Sequence, residues 1–151
     1  MRYEILLIPL DGSNLCHYAV DAAVPLAKAF QSRVVLLSAL DFNAGLFNIY
    51  YESYSPEALA REIREHLQAV LQKAWDRLAA EGIHAETVIE EGEAPQVILE
   101  RARTEGADLI VMTSHGRKGA KRLFLGSVTE AVLRESPCPV LVVRPDEEPE
   151  G

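Results

Sequence analysis

The sequence has few cysteines, few histidines and no long apolar run. Cys16 and Cys138 are its only cysteines and four residues are histidines, none at a spacing typical of metal ligands. We therefore expect two reduced thiols in packed positions and no zinc site.

No stretch approaches the roughly 18 apolar residues of a membrane helix. The first residues, MRYEILLIPLDGS, lack the cationic region and cleavage site of a signal peptide. The sequence predicts a cytoplasmic protein.

An excess of positive charge is also missing. The 23 acidic residues outnumber the 15 lysines and arginines, which gives a formal net charge of -8. Nucleic acids and anionic membranes repel such a chain, so neither is an expected partner. The 151 residues, 48% hydrophobic and 25% charged, suit one globular domain. We assign residues 1–145 to that domain and residues 146–151 (DEEPEG) to a solvated acidic tail.

Short apolar runs alternate with helical patterns along the chain. The runs predict strands at residues 3–10, 34–40, 84–90, 108–112 and 140–143, with helices at 15–30, 56–81, 92–106 and 126–135 between them. Ser13 or Asn14 is expected to cap the first helix, and residues 41–55 form an aromatic surface loop. The alternation predicts an α/β protein, a three-layer α/β/α sandwich on a mostly parallel five-stranded sheet. Ligands of such sheets bind beyond the carboxyl ends of the strands, where the strand order reverses.

The loop after the fourth predicted strand has unusual chemistry. Residues 113–130 read TSHGRKGAKRLFLGSVTE, and Gly126-Ser127-Val128 opens the fourth helix. A helix N-terminus presents unpaired N–H groups and the positive end of a dipole, which suits a phosphate. The basic residues between the glycines would screen phosphate charge: Arg117, Lys118, Lys121 and Arg122. A flexible basic loop with an ordinary glycine N-cap fits this composition equally well, so both interpretations stay open at this point.

Other nucleotide and catalytic motifs are absent from the sequence. Gly116-Arg117-Lys118-Gly119 lacks the spacing and hydroxyl of a P-loop, and DGSNLC lacks the glycines of a dinucleotide fingerprint. No serine, histidine and acid form a recognisable triad. No residue stands out as a general base that activates water, so the sequence predicts at most slow hydrolysis of a bound nucleotide.

From ILLIPLDGS near its start to CPVLVVR near its end, the chain resembles the universal stress protein family. The nucleotide motif of that family is G-x2-G-x9-G-[ST]. Gly116, nine further residues and Gly126-Ser127 match its second part, whereas Thr113 stands where the motif has its first glycine. The resemblance implies an adenine nucleotide alpha hydrolase-like fold with strand order 3-2-1-4-5.

The resemblance also implies a site for ATP, ADP or AMP, with Mg or Mn on the phosphates of a bound nucleotide. Asp11 would lie near the adenine, the backbone of Ala39 would close the other side, and Thr113 would face the ribose. The residues implied to line the pocket are Pro9, Leu10, Asp11, Ala39, Met112, Thr113, Gly116, Gly126, Ser127 and Val128. Asp11 also fits a plain turn role, and Pro9 a plain strand terminator.

Two functions compete at this stage. In the first, the protein is a nucleotide-binding sensor or regulator in the stress response. In the second, it is an interaction module of the same fold that binds no nucleotide and works through its dimer surface and its aromatic loop. The resemblance implies a homodimer in either case, paired through the fifth strand: Val140, Leu141, Val142 and Val143. The alternative for this strand is an edge that the acidic tail shields.

Overall fold

The computed structural model describes residues 2–42, 55–114 and 125–145. Nine elements follow one another in these residues: β1 Ile5–Pro9, α1 His17–Phe30, β2 Arg33–Leu40, α2 Pro56–Ala79, β3 Ala85–Glu91, α3 Ala94–Glu105, β4 Leu109–Thr113, α4 Ser127–Glu135 and β5 Val140–Val143. The predicted acidic tail and most of the aromatic loop lie outside the described residues. None of the helices in the described part of the chain is long and apolar enough to cross a membrane.

The five strands form one parallel sheet in the order β3-β2-β1-β4-β5. This confirms the expected fold and puts β1 beside β4, where the strand order reverses. The ladder between β1 and β2 continues to the pair Pro9 and Leu37, whereas the ladder between β1 and β4 ends at Leu7 and Ile110. The last residues of β1 and β4 are therefore not joined to each other by ladder pairs.

Alternating side chains of the central strands build a core on each face of the sheet. Leu6 and Ile8 pack with α1 and α2 on one face, whereas Leu7 packs with α3 and α4 on the other. All three leucine and isoleucine side chains are fully buried. A strand buried on both faces reads as a continuous apolar run, which is why ILLIP predicts a strand of a parallel sheet.

The N-terminal ends of β1 and β4 are tied together by Asp108. Its Oδ2 atom accepts hydrogen bonds from the backbone N–H groups of Glu4 and Ile5, each at 2.9 Å. Bonds to a charged acceptor are stronger than those between neutral groups. This contact sets the register of β4 against β1 from the end of the sheet opposite to the candidate site.

The start of α1 differs from its prediction. The helix begins at His17 and its N-cap, Cys16, makes no side-chain capping bond, so the expectation of a Ser13 or Asn14 cap is wrong. The hydroxyl of Ser13 instead accepts a bond from the Leu15 N–H at 3.3 Å, before the helix begins. Such a local bond gives a backbone N–H group a partner in a turn conformation, so the helix begins later in the chain.

Candidate functional site

The carboxyl ends of β1 and β4 bring together the predicted residues from two separate parts of the chain. Leu10 is 2% exposed and Met112 is 5% exposed, and their side chains belong to the cores on opposite faces of the sheet. Pro9 and Thr113, the last residues of their strands, are half-buried, and Asp11 is exposed. The strands β1 and β4 are neighbours in the sheet, so these residues lie at the point where the strand order reverses.

Both the N–H group and the carbonyl group of Leu10 make hydrogen bonds to β2. Its N–H donates to the Leu37 carbonyl at 2.8 Å, and its carbonyl accepts a bond from the Ser38 hydroxyl at 2.8 Å. Ser38 is fully buried, and the next residue, Ala39, is half-buried beside it in β2. The resemblance implied Ala39 as a lining residue, whereas the sequence analysis did not single out Ser38, although a single hydroxyl inside the apolar run VVLLSAL was a usable signal.

The turn after β1 is built around Gly12. Its φ of +83° lies in the region that favours glycine, and the Oδ1 atom of Asp11 accepts the Ser13 N–H at 2.9 Å across it. Asp11 therefore does have the turn role that its sequence allowed, and this contact uses one of its two carboxylate oxygens.

A histidine of α2 reaches this turn from a distant part of the chain. The Nε2 atom of His66 lies 2.9 Å from the Gly12 carbonyl oxygen, so the ring donates there from this nitrogen. A Cβ atom at Gly12 would approach the side chains of Leu67 and His66 to 3.2 and 3.3 Å. The turn is consequently packed against α2, a contact that no local sequence pattern reveals.

The N-terminus of α4 lies against the end of β4. The Gly126 N–H donates to the Ser114 carbonyl at 2.6 Å, and the Thr129 hydroxyl donates to the Thr113 carbonyl at 2.9 Å. Gly126 is the N-cap, has an extended backbone and contributes no side-chain capping bond. The first-turn N–H groups, which include those of Ser127 and Val128, have no partners inside the helix.

The start of α4 is a local site for an anion, although the protein as a whole carries a net negative charge. The positive end of the α4 dipole lies at Ser127, which is exposed. The acidic residue in the first turn, Glu130, is paired one turn later with Arg134 at 2.6 Å. Gly116 and the four basic residues of the preceding loop lie outside the described residues.

A buried thiol lies beneath the turn after β1. Burial, and then the charge of Asp11, raise the pKa of Cys16 to about 11, and its Sγ atom donates to the Ser13 carbonyl at 3.1 Å. Burial also raises the pKa of Cys138. Both cysteines are free, as expected, and both are protonated near neutral pH, which argues against a nucleophilic role.

A concave feature of the described residues lies away from the strand ends. A groove of about 450 Å³ lies between α2 and β3, and none of the predicted site residues lines it. Its walls are Arg64, Gln68, Leu71, Gln72, Thr87, Val88 and Ile89. This polar groove contains no helix N-terminus. Among the residues in the three described ranges, no group of three or more His, Cys, Asp or Glu side chains could hold a metal ion.

Comparison with known proteins identifies the family to which this geometry is related. Residues 2–144 match the universal stress protein family. The Bacillus subtilis universal stress protein YxiE is 37% identical over 150 residues, which cover 94% of this chain and 99% of that protein.

Solved structures agree with the sequence comparison. Universal stress protein UspA from Lactobacillus plantarum superimposes with a TM-score of 0.79 at 25% identity, covering 95% of this chain and 99% of that one. A universal stress protein in complex with cAMP superimposes with a TM-score of 0.70 at 29% identity, covering 95% and 98%.

Proposed function

This chain belongs to the universal stress protein family, and we propose that it binds ATP or a related adenine nucleotide at the carboxyl ends of β1 and β4. In this proposal the protein acts in the cytoplasm as a sensor or regulator of the stress response. Its regulatory state would depend on whether a nucleotide is bound.

One observation carries the proposal: the uncapped N-terminus of α4 is attached to the end of β4, beside the end of β1. Its first N–H groups lack partners inside the helix and, with the positive dipole end, suit a phosphate; the strand ends beside it carry the buried apolar side chains of Leu10 and Met112. A nucleotide combines these two requirements, because its base is flat and weakly polar and its phosphates are anionic. The complex of a similar universal stress protein with cAMP supports the adenine class.

The proposed roles divide between the two strand ends. Pro9, Leu10 and Asp11 contact the base together with the backbone of Ala39, while Met112 and Thr113 form the floor below the ribose. The phosphates bind at Gly126, Ser127 and Val128, together with Gly116. The Thr129 hydroxyl bonds only to the backbone carbonyl of Thr113, so the Thr113 side chain can contact the ribose.

Binding rather than turnover is the proposed activity. Asp11 and Ser127 are the nearest candidates to assist hydrolysis, but Asp11 is engaged in a turn and Ser127 has no basic partner among its described contacts. A divalent ion such as Mg or Mn is proposed on the phosphates, where their oxygens supply most of its ligands. At most slow hydrolysis is expected.

We also propose a homodimer paired through β5. This strand is at the edge of the sheet, with β4 on its inner side, and Leu141 is 37% exposed while its three valines are half-buried. An apolar edge strand is prone to pair with another chain. Antiparallel pairing with the same strand of a second copy would satisfy its outer backbone groups.

Calorimetric titration of metabolite-free protein with Mg-ATP tests the binding proposal. Saturable binding is expected in the parent, and its loss is expected in Gly126→Val, Ser127→Ala, because the valine crowds the phosphate and the alanine removes a donor. Thr87→Ala, in the groove at β3, is the matched control and should bind as the parent does. If the folded parent does not bind, the interaction-module alternative replaces this proposal.

A further inference from the structure

Thr129 has an unusual position for a helix threonine. It lies in the first turns of α4, is 3% exposed, and its hydroxyl donates to the Thr113 carbonyl of β4 at 2.9 Å. Hydroxyl groups at helix starts commonly cap their own helix, and those inside helices commonly bond to a carbonyl one turn earlier. The Thr129 hydroxyl instead joins two different elements of the fold.

A second hydrogen bond works beside it. The Gly126 N–H donates to the Ser114 carbonyl at 2.6 Å, so two donors three residues apart in the helix bind two consecutive carbonyls of the strand end. The Ser114 N–H in turn donates to the Val143 carbonyl of β5 at 2.9 Å. Together with the packing of Val128 and Val132 on the core, these two bonds fix the position of the helix end against the end of β4.

The proposed phosphate donors lie between these attachments. Ser127 and Val128 are the residues enclosed by Gly126 and Thr129, so their N–H groups point where the two bonds direct them. The interaction of an anion with a helix end falls off within the first turn. A displacement of about 1 Å at such a site is enough to weaken binding strongly. The proposed base contacts, Leu10 after β1 and Ala39 in β2, make no bond with Thr129, and at Thr113 its hydroxyl bonds only the backbone carbonyl and not the side chain proposed to face the ribose.

We propose that Thr129 is a positioning residue that sets the affinity of the site for phosphate and leaves its affinity for adenosine unchanged. Its hydroxyl holds the N-terminus of α4 at the end of β4 and so determines how well the Ser127 and Val128 N–H groups meet the phosphate. This inference rests on the proposed nucleotide site and adds the device that adjusts its preference for charged ligands.

The test compares dissociation constants of Mg-ATP and adenosine in three variants and the parent. Thr129→Val keeps the size of the side chain and removes its donor, and it is expected to weaken Mg-ATP roughly tenfold, with adenosine changed less than about twofold. Thr129→Ser keeps the donor and should bind Mg-ATP within about threefold of the parent. Should Thr129→Val not fold, Thr129→Ala carries the same expectation.

Val132→Ala is the control for simple destabilisation. Val132 is fully buried in the same helix and packs on a core of the sheet, but its side chain has no donor that could bond the Thr113 carbonyl. Its thermal midpoint should fall at least as far as that of Thr129→Val, while the ratio of the two dissociation constants stays at the parent value. Equal weakening of both ligands in Thr129→Val, no change in either, or the same changed ratio in Val132→Ala would overturn the inference.

The outcome also separates this inference from the proposed function. A parent that binds Mg-ATP, together with an unchanged ratio in Thr129→Val, removes only the role of Thr129. A folded parent that binds neither Mg-ATP nor adenosine removes the nucleotide site, and with it the role of Thr129.

Discussion

The hydroxyl of Ser38 donates a hydrogen bond to the carbonyl oxygen of Leu10 at 2.8 Å, and both residues are buried. Leu10 follows the last residue of β1 and Ser38 lies near the end of the adjacent strand β2, so this bond joins the two strands at the proposed base contact. Because water does not reach the Leu10 carbonyl, the Ser38 hydroxyl supplies the hydrogen bond that water would otherwise make.

Removing this hydroxyl should destabilise the fold. We expect Ser38→Ala to lower the free energy of unfolding by about 1–3 kcal/mol, since it leaves a buried acceptor without a donor. Urea denaturation measures the change. Thr104→Ala is the control, because the bond from Thr104 to the Arg101 carbonyl is exposed and water can replace it. Equal effects of the two substitutions would show that burial of the Leu10 carbonyl is not what matters.

Stability should depend on pH through Glu105. The hydrogen bond from Arg33, at 2.9 Å, is the main cause that holds the pKa of this carboxyl below its ordinary value of 4.5, and Arg101 adds a second bond. A depressed folded-state pKa gives stability that is present above the unfolded-state pKa and is lost as pH falls through the folded-state pKa. Glu105→Gln should therefore cost on the order of 1 kcal/mol or less at pH 7, because both partners are partly exposed.

That cost should shrink as the pH falls below about 4.5. Urea denaturation of the parent and of Glu105→Gln at a series of pH values measures it, with Glu100→Gln, an exposed position of the same helix, as the control. A cost that stays constant down to the lowest pH at which the protein folds would contradict the assigned pKa direction.

The two thiols should differ in reactivity. The thiolate is the reactive form, and a pKa of about 11 leaves roughly one Cys16 in a thousand ionised at pH 8. Cys138 is only half-buried. Alkylation of the folded protein with iodoacetamide, followed by peptide mass spectrometry, should label Cys138 well before Cys16, and both should react once urea unfolds the chain. Faster labelling of Cys16 in the folded protein would be inconsistent with its buried environment.

The proposed dimer should depend on β5. We expect the parent to be a dimer by light scattering and Val142→Lys to be a folded monomer, because a charge at the centre of the paired edge opposes its own copy. Thr87→Lys places the same charge on β3, the other edge strand, and should leave the dimer intact. A monomeric parent, or a dimer that survives Val142→Lys with normal circular dichroism, excludes pairing through this strand.

The sequence predicts the fold far better than the contacts at the site. Apolar runs such as ILLIP and VLVV are local signals, and the one-residue or two-residue errors in strand and helix ends do not change the sheet order. The wrong start of α1 has a local cause as well, because Ser13 satisfies backbone groups in a turn before the helix begins.

The contacts that position the site are long-range, and periodicity carries no information about them. The bond from Ser38 to Leu10 spans 28 residues, and the bond from His66 to Gly12 spans 54. The sequence shows that a hydroxyl or an imidazole is present, but only the packed sheet decides which carbonyl it meets. For this reason the sequence could indicate the two strand-end loops as a candidate site, whereas nothing in it indicated that the Thr129 hydroxyl bonds to the Thr113 carbonyl.

The most direct test of the central claim is to map where a nucleotide binds. Mg-ATP is titrated into ¹⁵N-labelled protein and the backbone amide shifts are followed by NMR. The largest changes are expected at the two strand ends and the helix start: Leu10, Asp11, Met112, Thr113, Ser127 and Val128. Changes that instead cluster at Gln68, Gln72, Thr87 and Ile89, in the groove between α2 and β3, or no changes at all, would contradict the account.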